Sequence, residues 1–90
     1  MKGIDTMTIT MEQKRKAVVG IYSNFGCMSS TQASGFIKRK MGLDIPAASI
    51  ARIMKAYETK GYAASSKNEK NTIIYWLQVP AWEIKEDENE

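Results

Sequence analysis

The side chains best suited to binding chemistry in this chain are cations that share one side of a segment near its middle. Within residues 46–62, PAASIARIMKAYETKGY, Arg52 and Lys55 lie three positions apart. At about 100° per residue they share a helical face with Ala48 and Thr59. The opposite side carries an apolar stripe: Ile50, Ile53, Met54 and Tyr57. A helix that enters a DNA major groove needs this layout, with little bulk near the bases and donors that reach phosphate or guanine.

Residue types that usually perform catalysis are scarce. The sequence has no histidine and one cysteine, Cys27, which excludes a His/Cys metal site, the commonest general base and an intramolecular disulfide. The sequence also lacks a phosphate-binding glycine loop and paired carboxylates ahead of its acidic end. We therefore expect no enzymatic activity, no cofactor and no metal. Cys27 is expected to be a small buried or half-buried residue.

Charge is distributed unevenly along the 90 residues, whose net charge is +3. The last eight residues, EIKEDENE, hold five acids and one cation, whereas residues 1–82 hold 12 cations and five acids, a net of +7. A compact basic body suits a polyanionic partner, and the tail is either a solubilising end or a competitor for the basic face. No run of 18 apolar residues and no signal-peptide hydrophobic region occurs, so a cytoplasmic protein is expected.

The first of three predicted helices begins at a capping box. Thr10 and Gln13 have the T-x-x-Q spacing in which each side chain bonds the backbone N–H of the other residue. The helix ends near residues 24–26, and residues 14–16, Lys-Arg-Lys, are expected to face solvent. Its expected apolar stripe is Met11, Val18, Ile21, Tyr22 and Phe25. The preceding residues 1–9 are either a leader or a short strand.

The second and third helices are predicted on either side of a tight turn. One serine of the pair at 29–30 caps the second helix, and Gly42 ends it. Its predicted buried side is Ala33, Phe36, Ile37 and Met41. The third helix spans about 46–60, where Pro46 suits the first helical position. Gly61 suits the left-handed position that follows a helix.

A β-hairpin is predicted after the third helix. Residues 62–66 can form a short strand, and residues 72–79, TIIYWLQV, are dense in β-branched and aromatic residues. The polar residues between them form a turn-rich tip. Both faces of the second strand are apolar, so one is a candidate partner surface. A domain of residues 10–80 followed by an acidic tail at 81–90 is therefore expected.

The order helix, helix, tight turn, helix, hairpin resembles a winged helix-turn-helix domain of small bacterial, archaeal or phage transcription regulators. The resemblance covers about residues 11–79. Residues 30–43, STQASGFIKRKMGL, resemble the supporting helix, residues 48–62, ASIARIMKAYETKGY, the recognition helix, and residues 63–77 the wing. The short chain and the TIIYWL strand are similar to small pilus-operon regulators of the FaeA/PapI type. This resemblance implies an α+β fold with three helices and a two-stranded wing.

The resemblance also implies a sequence-specific regulator that binds double-stranded DNA. The recognition helix, about 46–60, would enter the major groove, and the wing, about 66–72, would meet the backbone or minor groove. Arg52 is the first choice for a base contact, because its fork can bind guanine bidentately. The groove-facing set would be Ala48, Ser49, Arg52 and Lys55, with Ser49 and Lys55 on phosphate. Thr31 and Gln32 match positions that meet the backbone. The wing candidates are Lys67, Asn68, Lys70 and Asn71.

Each of these assignments has a structural alternative. Arg52 and Lys55 can be solvated residues of an amphipathic helix. The residues at 31–32 can serve as caps or simply be exposed, and the wing lysines can be solvated tip residues. The alternative function is a protein–protein interaction adaptor in a transcription or replication assembly. The expected partners are double-stranded DNA and, because one small domain covers a short half-site, a second copy of the chain. Neither a membrane nor a small-molecule effector is expected.

Overall fold

The computed structural model describes residues 9–85. Residues 1–8 and 86–90, which include all but one residue of the predicted leader and half of the predicted acidic tail, lie outside the described residues. The three helices are α1 (Met11–Phe25), α2 (Ser30–Met41) and α3 (Ala47–Thr59). The three strands are β1 (Met28–Ser29), β2 (Ala63–Lys67) and β3 (Ile73–Leu77), followed by a short 3-10 helix at Ala81–Glu83. The predicted order of three helices and a hairpin is confirmed.

The first two helices begin with the same local device. The Thr10 hydroxyl accepts from the Gln13 backbone N–H at 3.1 Å, and the Gln13 side chain accepts from the Thr10 N–H at 2.9 Å. Ser29 and Gln32 repeat this arrangement at α2, with both distances 3.1 Å. The capping box predicted at Thr10 is confirmed, and Ser29 rather than its neighbour caps α2. Each box satisfies N–H groups that a helix start leaves unpaired.

The turn between α2 and α3 is anchored in the core. Ile45 is 0% exposed, and its carbonyl accepts a hydrogen bond from the Ser34 hydroxyl at 2.7 Å. Gly42 ends α2 with a φ of 72°, in the left-handed region. Pro46 is the residue that precedes α3, and the prediction that it occupies the first helical position is wrong by one residue. A proline disfavours helical backbone in the residue before it, so α3 begins beyond Ile45.

The end of α3 is a Schellman motif. Gly61, with a φ of 85°, donates its N–H to the Glu58 carbonyl at 3.0 Å, and Tyr62 donates to the Tyr57 carbonyl at 2.9 Å. The Tyr57 and Tyr62 rings meet edge to face with centroids 6.0 Å apart, which is the apolar contact that accompanies this motif. The left-handed Gly61 predicted from sequence is confirmed, and the motif turns the chain directly into β2.

The sheet is antiparallel with the order β1-β3-β2, so β3 is central. Ser29 and Ser66 both lie opposite Ile74, on the two sides of β3. The sequence did not predict β1, because two residues are too few to show a strand period. Ser29 therefore serves twice, as the last residue of β1 and as the cap of α2.

A buried tyrosine ties β1 to α1. The Tyr22 hydroxyl donates to the Met28 carbonyl at 3.1 Å, and both residues are buried. Met28 lies opposite the buried Tyr75 of β3. Burial raises the pKa of the Tyr22 hydroxyl well above its ordinary value, and nearby Tyr75 adds to the effect. The hydroxyl therefore keeps its proton, and remains a donor, through the physiological pH range.

The core lies between the three helices and one face of the sheet. Its largest fully buried side chains are Val18, Ile21, Ile37, Ile45, Ile50 and Met54. Three residues predicted to be buried are instead exposed by 41–47%: Met11, Phe25 and Met41. Each is the first or last residue of its helix, where an apolar stripe runs past the element that covers it. Cys27, expected to be buried or half-buried, is exposed.

The exposed Phe25 is stacked on Phe36 of α2, with ring centroids 5.4 Å apart and planes within 4°. Arg39 lies over the Phe36 ring at 5.1 Å, and the Lys40 ammonium lies over the Phe25 ring at 5.5 Å. Such cation–π contacts hold the two cations against the junction of α1 and α2.

Replacing Tyr22 by Phe should lower the free energy of unfolding by about 1–3 kcal/mol, because the buried Met28 carbonyl loses its donor. Urea denaturation followed by circular dichroism measures this change. Tyr62→Phe is the matched control, since within residues 9–85 the Tyr62 hydroxyl makes no hydrogen bond. Equal losses in the two variants would show that the Tyr22 hydrogen bond does not hold β1.

Candidate nucleic-acid interface

The two-sided character predicted for α3 is confirmed. Ile50, Ile53, Met54 and Tyr57 are buried, whereas Ala48, Arg52, Lys55 and Thr59 are exposed and Ser49 is half-buried. Within the described chain, the side chains of Arg52 and Lys55 have neither a hydrogen bond nor an ion pair. Their charges are therefore available to a ligand outside the domain.

The acidic residue on α3 is turned toward the sheet. The Ser65 hydroxyl of β2 donates to the two oxygens of the Glu58 carboxylate, at 3.1 and 3.3 Å. Burial raises the pKa of Tyr75 on β3, and the Glu58 charge raises it further. Glu58 makes no ion pair with Lys55 among residues 9–85, so the exposed face of α3 keeps its positive charge.

A cavity of about 210 Å³ lies between the first half of α1 and α3. We call it the α1–α3 cavity. Ser49, Arg52, Ala56 and Lys60 line it from α3 and its end, and Lys14 and Arg15 line it from α1. Its apolar lining is Met11, Ile53 and Tyr57. Four cations thus converge on one cavity next to the exposed face of α3, and two of them come from a different helix.

The sequence did not reveal this convergence. Residues 14–16 were expected to face solvent, and only Lys16 does so fully, paired with Glu12 at 3.7 Å. Lys14 and Arg15 are half-buried against the cavity. The sequence offered only weak evidence for Lys60, because the position eight residues after Arg52 lies about 80° round the helix, within the width of one broad helical face. No feature of the sequence placed Lys14 at the cavity, since its position there depends on how α1 packs against α3.

The residues predicted at the start of α2 are both exposed. The side-chain oxygen of Gln32 is used in the capping box with Ser29, so only its amide nitrogen is left to donate to a ligand. Thr31 lies beside it in the first turn of α2. A phosphate contact by Thr31 and Gln32 stays a prediction, while the capping alternative is confirmed for Gln32.

The tip of the hairpin spans residues 68–72, within the wing predicted at about 66–72. Asn68 and Thr72 bond through their backbones at 3.0 Å, and the Asn68 side chain accepts from the N–H groups of Lys70 and Thr72 at 2.8 and 3.0 Å. Asn71 has a φ of 67° and donates to the Asn68 carbonyl. The two asparagines thus shape a hairpin loop of three residues, 69–71, between the paired Asn68 and Thr72. Lys70 within the loop and Lys67 at the end of β2 are both exposed.

The aromatic strand β3 exposes less apolar surface than expected. Tyr75 is buried, Ile74, Trp76 and Leu77 are half-buried, and Ile73 is 37% exposed. Trp82, beyond the sheet, is the more exposed aromatic residue, at 82%. No helix within residues 9–85 is long and apolar enough to cross a membrane. The same residues hold no group of three or more side chains arranged to bind a metal.

Comparison with solved structures shows what this architecture is similar to. The Vibrio cholerae ferric uptake regulator, a protein with DNA-binding domains, matches with a TM-score of 0.66 and 14% identity over 80% of this chain. The hsRosR-S4 complex matches with a TM-score of 0.62 and 15% identity over 83% of this chain. The matches cover 54% and 63% of the two larger chains. No protein-family model and no curated protein matches the sequence. The likeness shows a winged-helix fold and supports no particular subfamily.

Asn71→Gly should preserve or slightly raise stability, because glycine adopts positive φ without steric cost. Asn71→Val should cost about 1–2 kcal/mol, since a β-branched residue is strained there. Thermal unfolding of the two variants beside the parent protein measures both effects. A valine variant as stable as the glycine variant would contradict the left-handed conformation of residue 71.

Proposed function

We propose that the protein is a cytoplasmic transcription regulator that binds double-stranded DNA at specific sequences. The observation that carries the proposal is the exposed face of α3, where Arg52 and Lys55 are cations without partners in the described chain. The likeness in fold to a ferric uptake regulator with DNA-binding domains supports it. The net charge of +7 over residues 1–82 also favours a polyanion as the ligand.

In this proposal α3 lies in the major groove, which is about 12 Å wide and admits a helix. Ala48 is one turn before Arg52 and leaves the start of the exposed face without bulk. Arg52 then extends its planar fork to the edge of a guanine, where it can bond O6 and N7 together. Ser49 and Lys55 flank it and would bond phosphate oxygens, which fixes the position of the helix without reading sequence.

The wing and the start of α2 would hold the duplex on either side of α3. Lys67 at the end of β2 and Lys70 at the hairpin tip would meet phosphates, and Thr31 and Gln32 would offer a hydroxyl and an amide to the backbone. Phosphate contacts would supply most of the affinity and would make it strongly dependent on salt. The regulator would act by occupying its site and would perform no chemistry.

Two copies on neighbouring half-sites would complete the recognition. One domain with a single base-reading arginine discriminates over few base pairs, and a second copy multiplies that discrimination. Sedimentation with and without a palindromic site measures the stoichiometry. One copy per palindrome at micromolar concentration would contradict the paired arrangement.

Arg52→Ala should weaken binding to a site selected from random DNA by about 1–3 kcal/mol, and should weaken binding to unrelated DNA much less. Arg52→Lys is the sharper variant, because it keeps the charge and loses the bidentate fork. Specific binding should fall in Arg52→Lys while non-specific binding stays near that of the parent protein. Fluorescence anisotropy with both duplexes measures the two affinities.

Arg39→Ala is the matched control for Arg52, because it removes the same side chain from α2, where Arg39 lies over Phe36. Both affinities should be close to those of the parent protein. The role given to Arg52 would be refuted if Arg52→Lys and Arg39→Ala had the same ratio of specific to non-specific affinity.

Replacing Lys67 and Lys70 together by Ala should lower the slope of log affinity against log salt by about 1.8, since each lost phosphate contact removes about 0.9. Titrations at four or more salt concentrations give the slope. The control replaces Lys38 and Lys40 by Ala, which removes the same charge from the far end of α2. An unchanged slope in the wing variant, or an equal change in both, would remove the wing from the interface.

A further inference from the structure

The acidic end of the chain begins at a groove on α1 that shares Arg15 with the α1–α3 cavity. Ile84 is half-buried and packs against the core. It lies in a second groove, with Arg15, Lys16, Val19, Gly20 and Ala81. Arg15 lines both this groove and the α1–α3 cavity, so the two are neighbours on either side of its side chain. Ile84, close to the last described residue, therefore lies one groove away from a cavity lined by cations.

Residues 86–90 are long enough to reach the α1 side of that cavity. Lys14 lies six residues before Gly20 on α1, which is about 9 Å along a helix. Residues 86–90 can span up to about 17 Å when extended. A segment that starts beside Ile84 is thus long enough to reach Lys14, which lines the α1–α3 cavity together with Arg52.

Charge favours residues 86–90, rather than residues 1–8, as the segment that binds the cations of the α1–α3 cavity. Residues 86–90, EDENE, carry four carboxylates and no cation, whereas residues 1–8 carry one acid and one cation. On the other side, Lys14, Arg52 and Lys60 line the cavity without a carboxylate partner among residues 9–85. Opposite charges at these distances attract, and the attraction weakens as salt rises.

We propose that the acidic segment 86–90 docks on the α1–α3 cavity of its own chain and competes with DNA for Arg52. Docking places carboxylates where phosphates would otherwise approach Lys14 and Arg52. Exposed ion pairs are individually weak, so the segment reduces weak, non-specific association more than it opposes a well-matched site. The docking does not depend on the proposed function, whereas the competition with DNA rests on it.

Docking is tested without DNA. The parent protein is compared with a neutral-tail variant of the same length, carrying Glu86→Gln, Asp87→Asn, Glu88→Gln and Glu90→Gln. In ¹⁵N-resolved NMR spectra at low salt, the amide signals of Ser49, Arg52 and Ala56 should differ between the two proteins, and those of residues 36–40 should coincide. The differences should vanish at 0.5 M salt, on the order of the concentration that screens exposed pairs. Coincident signals around Arg52, or differences confined to other surfaces, would overturn the docking.

Competition is tested by binding to a random-sequence duplex at low salt. The neutral-tail variant should bind about three- to tenfold more tightly, the size expected for a few exposed ion pairs. Lys14→Gln should reduce that gain, because the docked segment loses a partner, whereas the control Lys38→Gln should leave the gain intact. An equal gain in both backgrounds would mean general repulsion and would overturn the competition. Failure of every variant to bind DNA would refute the proposed function, while the NMR comparison would still decide the docking.

Discussion

The orientation of α3 depends on one buried residue in a turn. Ile45 enters the core between α2 and α3, and the Ser34 hydroxyl holds its carbonyl. This contact sets the rotation of α3 about its own axis, since Ile50 follows after only one helical turn. A shift of one residue in the turn would rotate the helix by about 100° and carry Arg52 toward the core. The basic face is exposed because Ile45, Ile50 and Met54 are buried together.

The features that the sequence predicted well are those determined within a few residues. The capping box at Thr10, the left-handed Gly61 and the two faces of α3 each follow from local spacing, and all are present. The features that it missed depend on contacts between distant segments. β1 is a strand because it pairs with β3, 47 positions away in the case of Met28 and Tyr75. The exposure of Phe25, the last residue of α1, likewise depends on how far the elements that cover α1 extend.

The same distinction between local spacing and long-range contacts applies to the candidate interface. Periodicity within one helix was enough to place Arg52 and Lys55 on a common exposed face. It could not place Lys14 on the same cavity as Arg52, because that arrangement depends on the packing of α1 against α3. The wing asparagines show a further limit, since residue type alone does not separate a ligand contact from a structural role. The side chain of Asn68 is hydrogen-bonded within the hairpin loop, and Asn71 takes part through its backbone N–H, so at these two positions a structural role is visible.

The double use of Ser29 has a mechanical consequence. As the partner of Ile74 and the cap of α2, it joins the central strand of the wing to the start of α2 through one residue. The distance between the wing and the start of α2 is therefore fixed within the domain. A flexible wing could adjust to DNA grooves of different width. In the proposed complex with DNA, this wing would instead require a groove whose width matches its fixed position. Discrimination would then extend to the stiffness and groove shape of the DNA, at base pairs that no side chain touches.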